Sequence, residues 1–115
     1  MYDELYEKLR EVARKQETTH YEDIESMLGL KMGDPADRVR IGQILGKISA
    51  QEHAAGRPML STVVTRKKDE RPGLGFFELA QELGLVGAMD SETFFIHELK
   101  RVHRYWDNPA HADSD

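Results

Sequence analysis

The stretch DPADRVRIGQILGKISAQEHAAGRPMLSTVVTRKKDERPG, residues 34–73, decides the fold that this sequence predicts. Asp34-Pro35 supplies an N-cap carboxylate followed by proline at the first helical position, so a long helix is expected to begin there. Gly56 and Pro58 are expected to end it near Ala55. The stretch from Met59 to Thr65 is rich in β-branched residues and lacks a helical period, which predicts a strand.

The charged loop that follows this strand closes with the turn dipeptide Pro72-Gly73, and residues 74–77 are expected to return as a second short strand. The two strands would form a β-hairpin with a basic tip. Helices are predicted before and after this unit, over residues 3–16, from Thr19 with Glu22 to Gly29, over residues 77–83 and over residues 91–106.

Three helices, a hairpin and C-terminal helices are the element order of a winged helix-turn-helix, an α+β fold. The predicted domain covers residues 1–106, and residues 107–115 are expected to form a flexible tail. One domain with one core is what a chain of 115 residues supports. The sequence therefore predicts that the third helix is the DNA-recognition helix and that the hairpin is the wing.

The composition narrows the possible function classes. The chain has no cysteine, which removes disulfides, thiol nucleophiles and thiolate metal sites. The sequence shows no export signal at Met1 and no apolar run long enough for a membrane span, so a cytoplasmic protein is expected. The five histidines lack the spacing of helical metal ligands, so neither a metal nor another cofactor is expected.

Charge is concentrated in the middle of the sequence. The net charge is -5, which by itself disfavours nucleic-acid binding, but residues 31–71 carry nine basic and five acidic side chains. This basic segment lies between two acidic flanks. Its candidate DNA contacts are Arg38, Arg40, Gln43 and Lys47 on the long helix and Arg66, Lys67, Lys68 and Arg71 on the hairpin tip.

These residue types suit duplex DNA, because arginine and glutamine pair with base edges and lysines on a flexible tip suit phosphates. The same residues are equally compatible with a solvated helix face and a charged surface loop. A second group, Ser49, Glu52, Arg57 and Ser61, lies around the end of the long helix. It is either a polar site or a structural pair that ties the helix end to the next strand.

The last helix carries a wide aromatic band that includes Phe94, Phe95, Tyr105 and Trp106. A band wider than one core-facing stripe is compatible with core packing and with a homodimer contact through this helix. We expect core packing first, and leave the dimer open.

Residues 18–77 resemble the winged-helix DNA-binding domain of the alkylguanine-DNA alkyltransferases and their non-catalytic relatives. The segments that carry the resemblance are Thr19-His20-Tyr21-Glu22-Asp23-Ile24 with Leu28-Gly29, Arg38-Val39-Arg40-Ile41-Gly42, and Pro58-Met59-Leu60-Ser61-Thr62-Val63-Val64. The resemblance implies a winged helix and DNA binding. Met59, Leu60 and Ser61 stand where that family has its reactive Cys-His-Arg, so alkyl transfer is excluded for want of a nucleophile.

The sequence leaves three functions open. The first is a non-enzymatic DNA-binding or regulatory winged-helix protein. The second is a protein–protein interaction module or accessory subunit that uses the acidic flanks and the aromatic last helix. The third is a small enzyme of unknown reaction centred on Glu52, His53 and Arg57.

Overall fold

Five helices and one two-stranded parallel sheet make up the part of the chain that the computed structural model describes, residues 2–108. The elements in chain order are α1 (Asp3–Arg14), β1 (Thr19–His20), α2 (Tyr21–Leu28), α3 (Pro35–Ala54), a 3-10 turn (Leu60–Val63), β2 (Val64–Thr65), α4 (Leu74–Glu82) and α5 (Ser91–Asp107). The predicted tail lies outside the described residues from 109 onwards.

The structure corrects the predicted fold class, because the winged helix-turn-helix with its β-hairpin wing is not present among residues 2–108. Strand β2 has two residues and pairs in parallel with β1, with Thr19 opposite Val64 and His20 opposite Thr65. Residues 74–77, predicted as the returning strand, form the first turn of α4. The protein is a mainly helical domain with a minimal parallel sheet.

Burial explains why the β-branched run is not a longer strand. Residues 58–65 are all buried, and the 3-10 turn contacts α1, α3 and α5. With helices on several sides, β1 is the one strand among residues 2–108 that pairs with this run, and it reaches only Val64 and Thr65. Thr62 instead donates to the Met59 carbonyl through both its backbone N–H and its hydroxyl. Contacts with three helices thus override the local β preference.

The start of α3 and the start of α5 confirm the capping predictions. Asp34 accepts hydrogen bonds from the backbone N–H groups of Ala36 and Asp37, at 2.9 and 3.2 Å, and helix α3 ends at Ala54. Asp90 accepts from the Thr93 N–H at 2.8 Å, and that bond lowers the pKa of Asp90. Satisfying the first free N–H groups fixes where each helix begins.

Helix α2 begins two residues later than Thr19, the predicted cap. Asp23, rather than Glu22, accepts from the His20 backbone N–H at 3.0 Å and from the Thr19 hydroxyl at 3.1 Å. Thr19 and His20 are not free to cap in the predicted way because they pair with β2. The predicted stop is right, since Gly29 adopts the left-handed conformation with φ 67°.

The aromatic band of α5 supplies core, as expected. Phe94, Phe95 and Trp106 are buried, and Tyr105 is partly buried against the main cluster. That cluster lies between α1, α2, α3 and α5, and a second one joins Met59 to α4 and to Phe94. The homodimer through α5 stays a prediction.

Candidate functional site

Helix α3 carries the predicted stripe of Arg40, Gln43 and Lys47, and all three side chains are exposed. They do not share one concavity. Gln43 lines a groove between α3 and α4, whereas Lys47 lines a cleft between α3 and α1. The stripe is therefore a ridge with a depression on each side.

The α3–α4 groove has a volume of about 590 Å³ and lies where four segments meet. These segments are the start of α2, the first half of α3, the loop of residues 66–73 and the start of α4. Its walls include Tyr21, Arg38, Val39, Gly42, Gln43, Gly46, Ser61, Arg66, Gly73, Leu74 and Gly75. Gly42 and Gly46 lie one turn apart on α3, and their missing side chains leave room for the groove.

Three of the predicted DNA contacts meet in this groove: Arg38, Gln43 and Arg66. Arg38 is exposed, and its Nε–H donates to the Met32 carbonyl at 3.0 Å, which fixes where the guanidinium lies. Arg66 is half-buried and makes two bonds to Asp69, with Nη2 to Oδ2 at 2.6 Å. Those bonds lower the pKa of Asp69 and take up part of the charge of Arg66.

The other five predicted contacts do not line the groove, and one of them, Lys47, lines the α1–α3 cleft instead. Arg40, Lys67 and Lys68 are exposed to solvent. The Arg71 guanidinium lies 5.7 Å from the centre of the Phe77 ring, towards α4, in a cation–π contact. The loop thus divides its cations between the groove, the solvent and the surface of α4.

Two contacts with the start of α2 hold the loop of residues 66–73. The His20 Nε2–H donates to the two oxygens of Glu70 at 3.1 and 2.9 Å. The Gly73 N–H donates to the Tyr21 hydroxyl at 2.8 Å, and burial raises the pKa of Tyr21. Glu70 has φ 55° and closes a tight turn, in which its N–H donates to the Arg66 carbonyl. This attachment was not predictable from local sequence patterns, because β1 brings residues together that are about 50 positions apart.

The predicted polar group around the end of α3 separates into two pairs. Ser49 Oγ and Ser61 Oγ are 2.6 Å apart and buried, and the Ser61 N–H donates to Ser49 Oγ at 3.0 Å. The Arg57 guanidinium donates to both carboxylate oxygens of Glu52, from Nε to Oε2 at 2.8 Å and from Nη2 to Oε1 at 3.0 Å. Each pair joins α3 to the segment that follows it, which is the structural alternative raised for this group.

The Glu52–Arg57 pair lines the α1–α3 cleft, a depression of about 810 Å³. Glu52 is 2% exposed, and its Oε1 also accepts from the Tyr6 hydroxyl at 2.8 Å. Burial and this hydrogen bond raise the pKa of Tyr6 to about 12, and the bond to Glu52 raises the pKa of Arg57. Both carboxylate oxygens are occupied, so Glu52 is poorly placed to act as a base.

Arg10 is a buried cation of the same cleft that the sequence reasoning missed. Its side chain is 2% exposed and pairs with Glu7 at 2.5 Å. The guanidinium lies between two rings, 5.5 Å from the centre of Tyr6 and 5.0 Å from that of Trp106. A polar residue one helical turn before Ala13 and Arg14 looked like ordinary surface, and packing of α5 is what covers it.

Glu98 is a second buried charge that the sequence reasoning missed. It is fully buried, accepts from the Met59 N–H at 2.9 Å, and pairs with Arg101 at 2.6 Å. A signal was present, since Glu98 falls four residues after Phe94 and four before Val102 on the apolar face. Its role is to anchor the backbone where the 3-10 turn begins.

Across residues 2–108, no three His, Asp or Glu side chains converge as metal ligands would. His103, one of the histidines, donates to the Glu17 carbonyl at 2.9 Å, and His111 lies outside the described range. No helix within that range has the length and apolar character that crossing a bilayer requires.

Comparison with protein-family models, with curated proteins and with solved structures finds no match for this chain.

Proposed function

We propose that this protein is a non-enzymatic, cytoplasmic DNA-binding protein that meets the duplex with the α3–α4 groove and the ridge of α3 beside it. The observation that carries the proposal is the meeting of Arg38 and Gln43 from α3 with Arg66 from the loop in one groove. These residues are up to 28 positions apart in the sequence. Their convergence gives one surface that combines cations with an amide able to read a base edge.

Three exposed cations directly follow groove residues in the sequence, Arg40 after Val39 and Lys67 and Lys68 after Arg66. Arg40, Lys67 and Lys68 are exposed, and none makes a salt bridge within 4 Å to another described residue. Cations without a protein partner are available to neutralise phosphates and release their counterions. The acidic remainder of the chain would then disfavour binding in other orientations.

The test is duplex binding as a function of salt concentration. Replacing Arg38, Arg40, Lys67 and Lys68 together with alanine should weaken binding at low salt at least about tenfold. The slope of log affinity against log salt should become shallower by about 3, because fewer counterions are released. Fluorescence anisotropy with a labelled duplex measures both quantities.

A matched variant separates local from overall charge. Replacing Lys8, Lys15, Lys100 and Arg104 with alanine removes the same charge from α1 and α5 and leaves the groove intact. This control should keep most of the affinity and of the salt slope. Equal losses in the two variants, or no binding at low salt by the wild-type protein, would contradict the proposal.

A protein–protein interaction module remains the second candidate, and one observation favours it. Ile96 on α5 is 47% exposed, on the helix for which a homodimer contact was predicted. Sedimentation velocity across a wide concentration range distinguishes the candidates. A dimer that Ile96→Ser dissociates would support this second function, whereas a monomer throughout would count against it.

A further inference from the structure

Two large apolar side chains project from opposite walls of the α3–α4 groove. Val39 on α3 is 61% exposed, and Leu74 at the first position of α4 is 76% exposed. The other exposed large hydrophobics among the described residues, Met27 at 38% and Ile96 at 47%, lie outside the groove and are less exposed. The most exposed apolar groups are thus concentrated at the candidate DNA site.

Neither side chain is part of the hydrophobic core. Val39 and Leu74 belong to neither buried cluster, although the adjacent Phe76 does. Burying a valine or leucine normally gains about 1.5–3 kcal/mol, so folding forgoes that gain at both positions. Single exposed hydrophobics are common on proteins, but two that line one groove form a feature of the surface.

The cations around these side chains restrict what could cover them. Val39 lies between Arg38 and Arg40 in the sequence, and Arg66 lines the same groove as Leu74, together with one carboxylate, that of Glu78. An occupant has to offer negative charge to the arginines and an apolar face to Val39 and Leu74. Duplex DNA has both, because its phosphates lie outside and its stacked base faces lie inside.

We infer that Val39 and Leu74 act as apolar wedges that enter an opened base step when this surface binds DNA. This inference rests on the proposed DNA-binding function and adds to it a preference among duplexes. Proteins that insert apolar side chains between bases must unstack a step, and that cost is least at flexible or mismatched positions. The protein should therefore prefer a duplex with a weakened step to a fully paired one of the same length.

The test compares two duplexes that differ at one central position, one fully paired and one with a single mismatch, each with 2-aminopurine beside that position. Wild-type protein should bind the mismatched duplex at least about fivefold more tightly. Its binding should also raise the 2-aminopurine fluorescence, which reports unstacking. The variant Val39→Ser with Leu74→Ser should lose the preference and the fluorescence rise.

The matched control is Met27→Ser with Ile96→Ser, which removes exposed apolar side chains outside the groove. It should behave as wild type in both measurements. Because all four side chains are exposed, circular dichroism should show both variants folded.

The failures of the two proposals are distinguishable. If wild-type protein binds both duplexes equally without a fluorescence rise, the wedge inference is overturned and DNA binding stands. The inference also fails if the Val39/Leu74 variant keeps the preference, or if the Met27/Ile96 control loses it. If wild-type protein binds neither duplex at low salt, the proposed function fails and the inference fails with it.

Discussion

Helix α3 separates two depressions that differ in how far the charged side chains at their centres are buried and paired. In the α1–α3 cleft, Glu52 is paired with Arg57 and Arg10 is paired with Glu7. In the α3–α4 groove, Arg38 is exposed and its Nε–H donates to the Met32 backbone carbonyl, and the groove is also lined by the exposed Val39 and Leu74. Buried charges that are paired are typical of a structural contact. Exposed cations near exposed apolar side chains are typical of a surface that binds a partner.

The volume of a depression does not by itself identify a binding surface in this domain. The cleft is the larger of the two, at about 810 Å³ against about 590 Å³. Three of its ionisable groups, Tyr6, Glu52 and Arg57, are nevertheless engaged with one another. The pairing of the ionisable side chains in the walls therefore distinguishes a candidate binding surface from a structural contact better than volume does.

The largest effect is expected from breaking the cleft network at its centre. Glu52→Ala should lower the free energy of unfolding by about 3 kcal/mol, because it leaves Arg57 and the Tyr6 hydroxyl without their buried acceptor. Urea denaturation measures the loss. DNA affinity of the folded variant should be unchanged, and a selective loss of affinity would reverse the assignment of the two depressions.

The next effect is on binding and comes from filling the groove. A Cβ at Gly42 would meet no other atom within 4 Å, so Gly42→Leu should fill the groove without a clash in the fold. We expect affinity for duplex DNA to fall about tenfold, while stability is unchanged or higher by about 0.5–1 kcal/mol, since glycine is a poor helix residue.

Ala54→Leu is the matched control for Gly42→Leu. It adds similar bulk to an exposed position of α3 that lines neither depression. Binding by this variant should equal that of wild type. Equal losses for the two substitutions would mean that the groove is not where DNA binds.

A smaller effect concerns Tyr6 and alkaline pH. The pKa of Tyr6 is raised to about 12 by burial and by Glu52, whereas an unfolded tyrosine titrates near 10. The unfolded chain therefore releases a proton between about pH 10 and 12 that the folded state retains, so stability falls as pH rises through that range.

Tyr6→Phe checks this linkage. The variant should lose about 1 kcal/mol at neutral pH with the hydrogen bond to Glu52. Its stability should then fall less steeply than that of wild type between pH 9.5 and 11.5, as measured by urea denaturation. Parallel curves would show that the cleft network does not hold the Tyr6 proton.

The smallest effect is expected at the loop beside the groove. His20→Ala removes the partly exposed contact with Glu70 and should cost less than about 1 kcal/mol of stability. Amide exchange of residues 66–73 should nonetheless become faster, because one of the two attachments to α2 is lost. Unchanged exchange would show that the Tyr21–Gly73 bond alone holds the loop.

How far the fold could be predicted depends on how local the responsible contacts are. The caps at Asp34 and Asp90 and the stop at Gly29 involve residues within four positions of one another, and the sequence predicts them correctly. The strand and hairpin over residues 59–77 were wrong, because contacts with α1, α3 and α5 decide the shape of that segment.

The candidate site was predictable in part for the same reason. Arg38, Gln43 and Arg66 could be chosen by residue type and by their place in a basic segment. Val39 and Leu74 could not, since their sequence pattern does not reveal that they remain exposed. The pairing of His20 with Glu70, 50 positions apart, also depends on the parallel contact between β1 and β2.

The sequence by itself determined that five helices form, the caps at Asp34 and Asp90, the basic segment and the lack of thiol chemistry, because each follows from residue identity and short spacings. Tertiary structure decided that residues 60–63 form a buried 3-10 turn, that Arg10, Glu52 and Glu98 are buried with partners, and that Val39 and Leu74 face one groove. Burial is a property of the whole packed chain, and it overrides a local preference worth less than about 1 kcal/mol per residue.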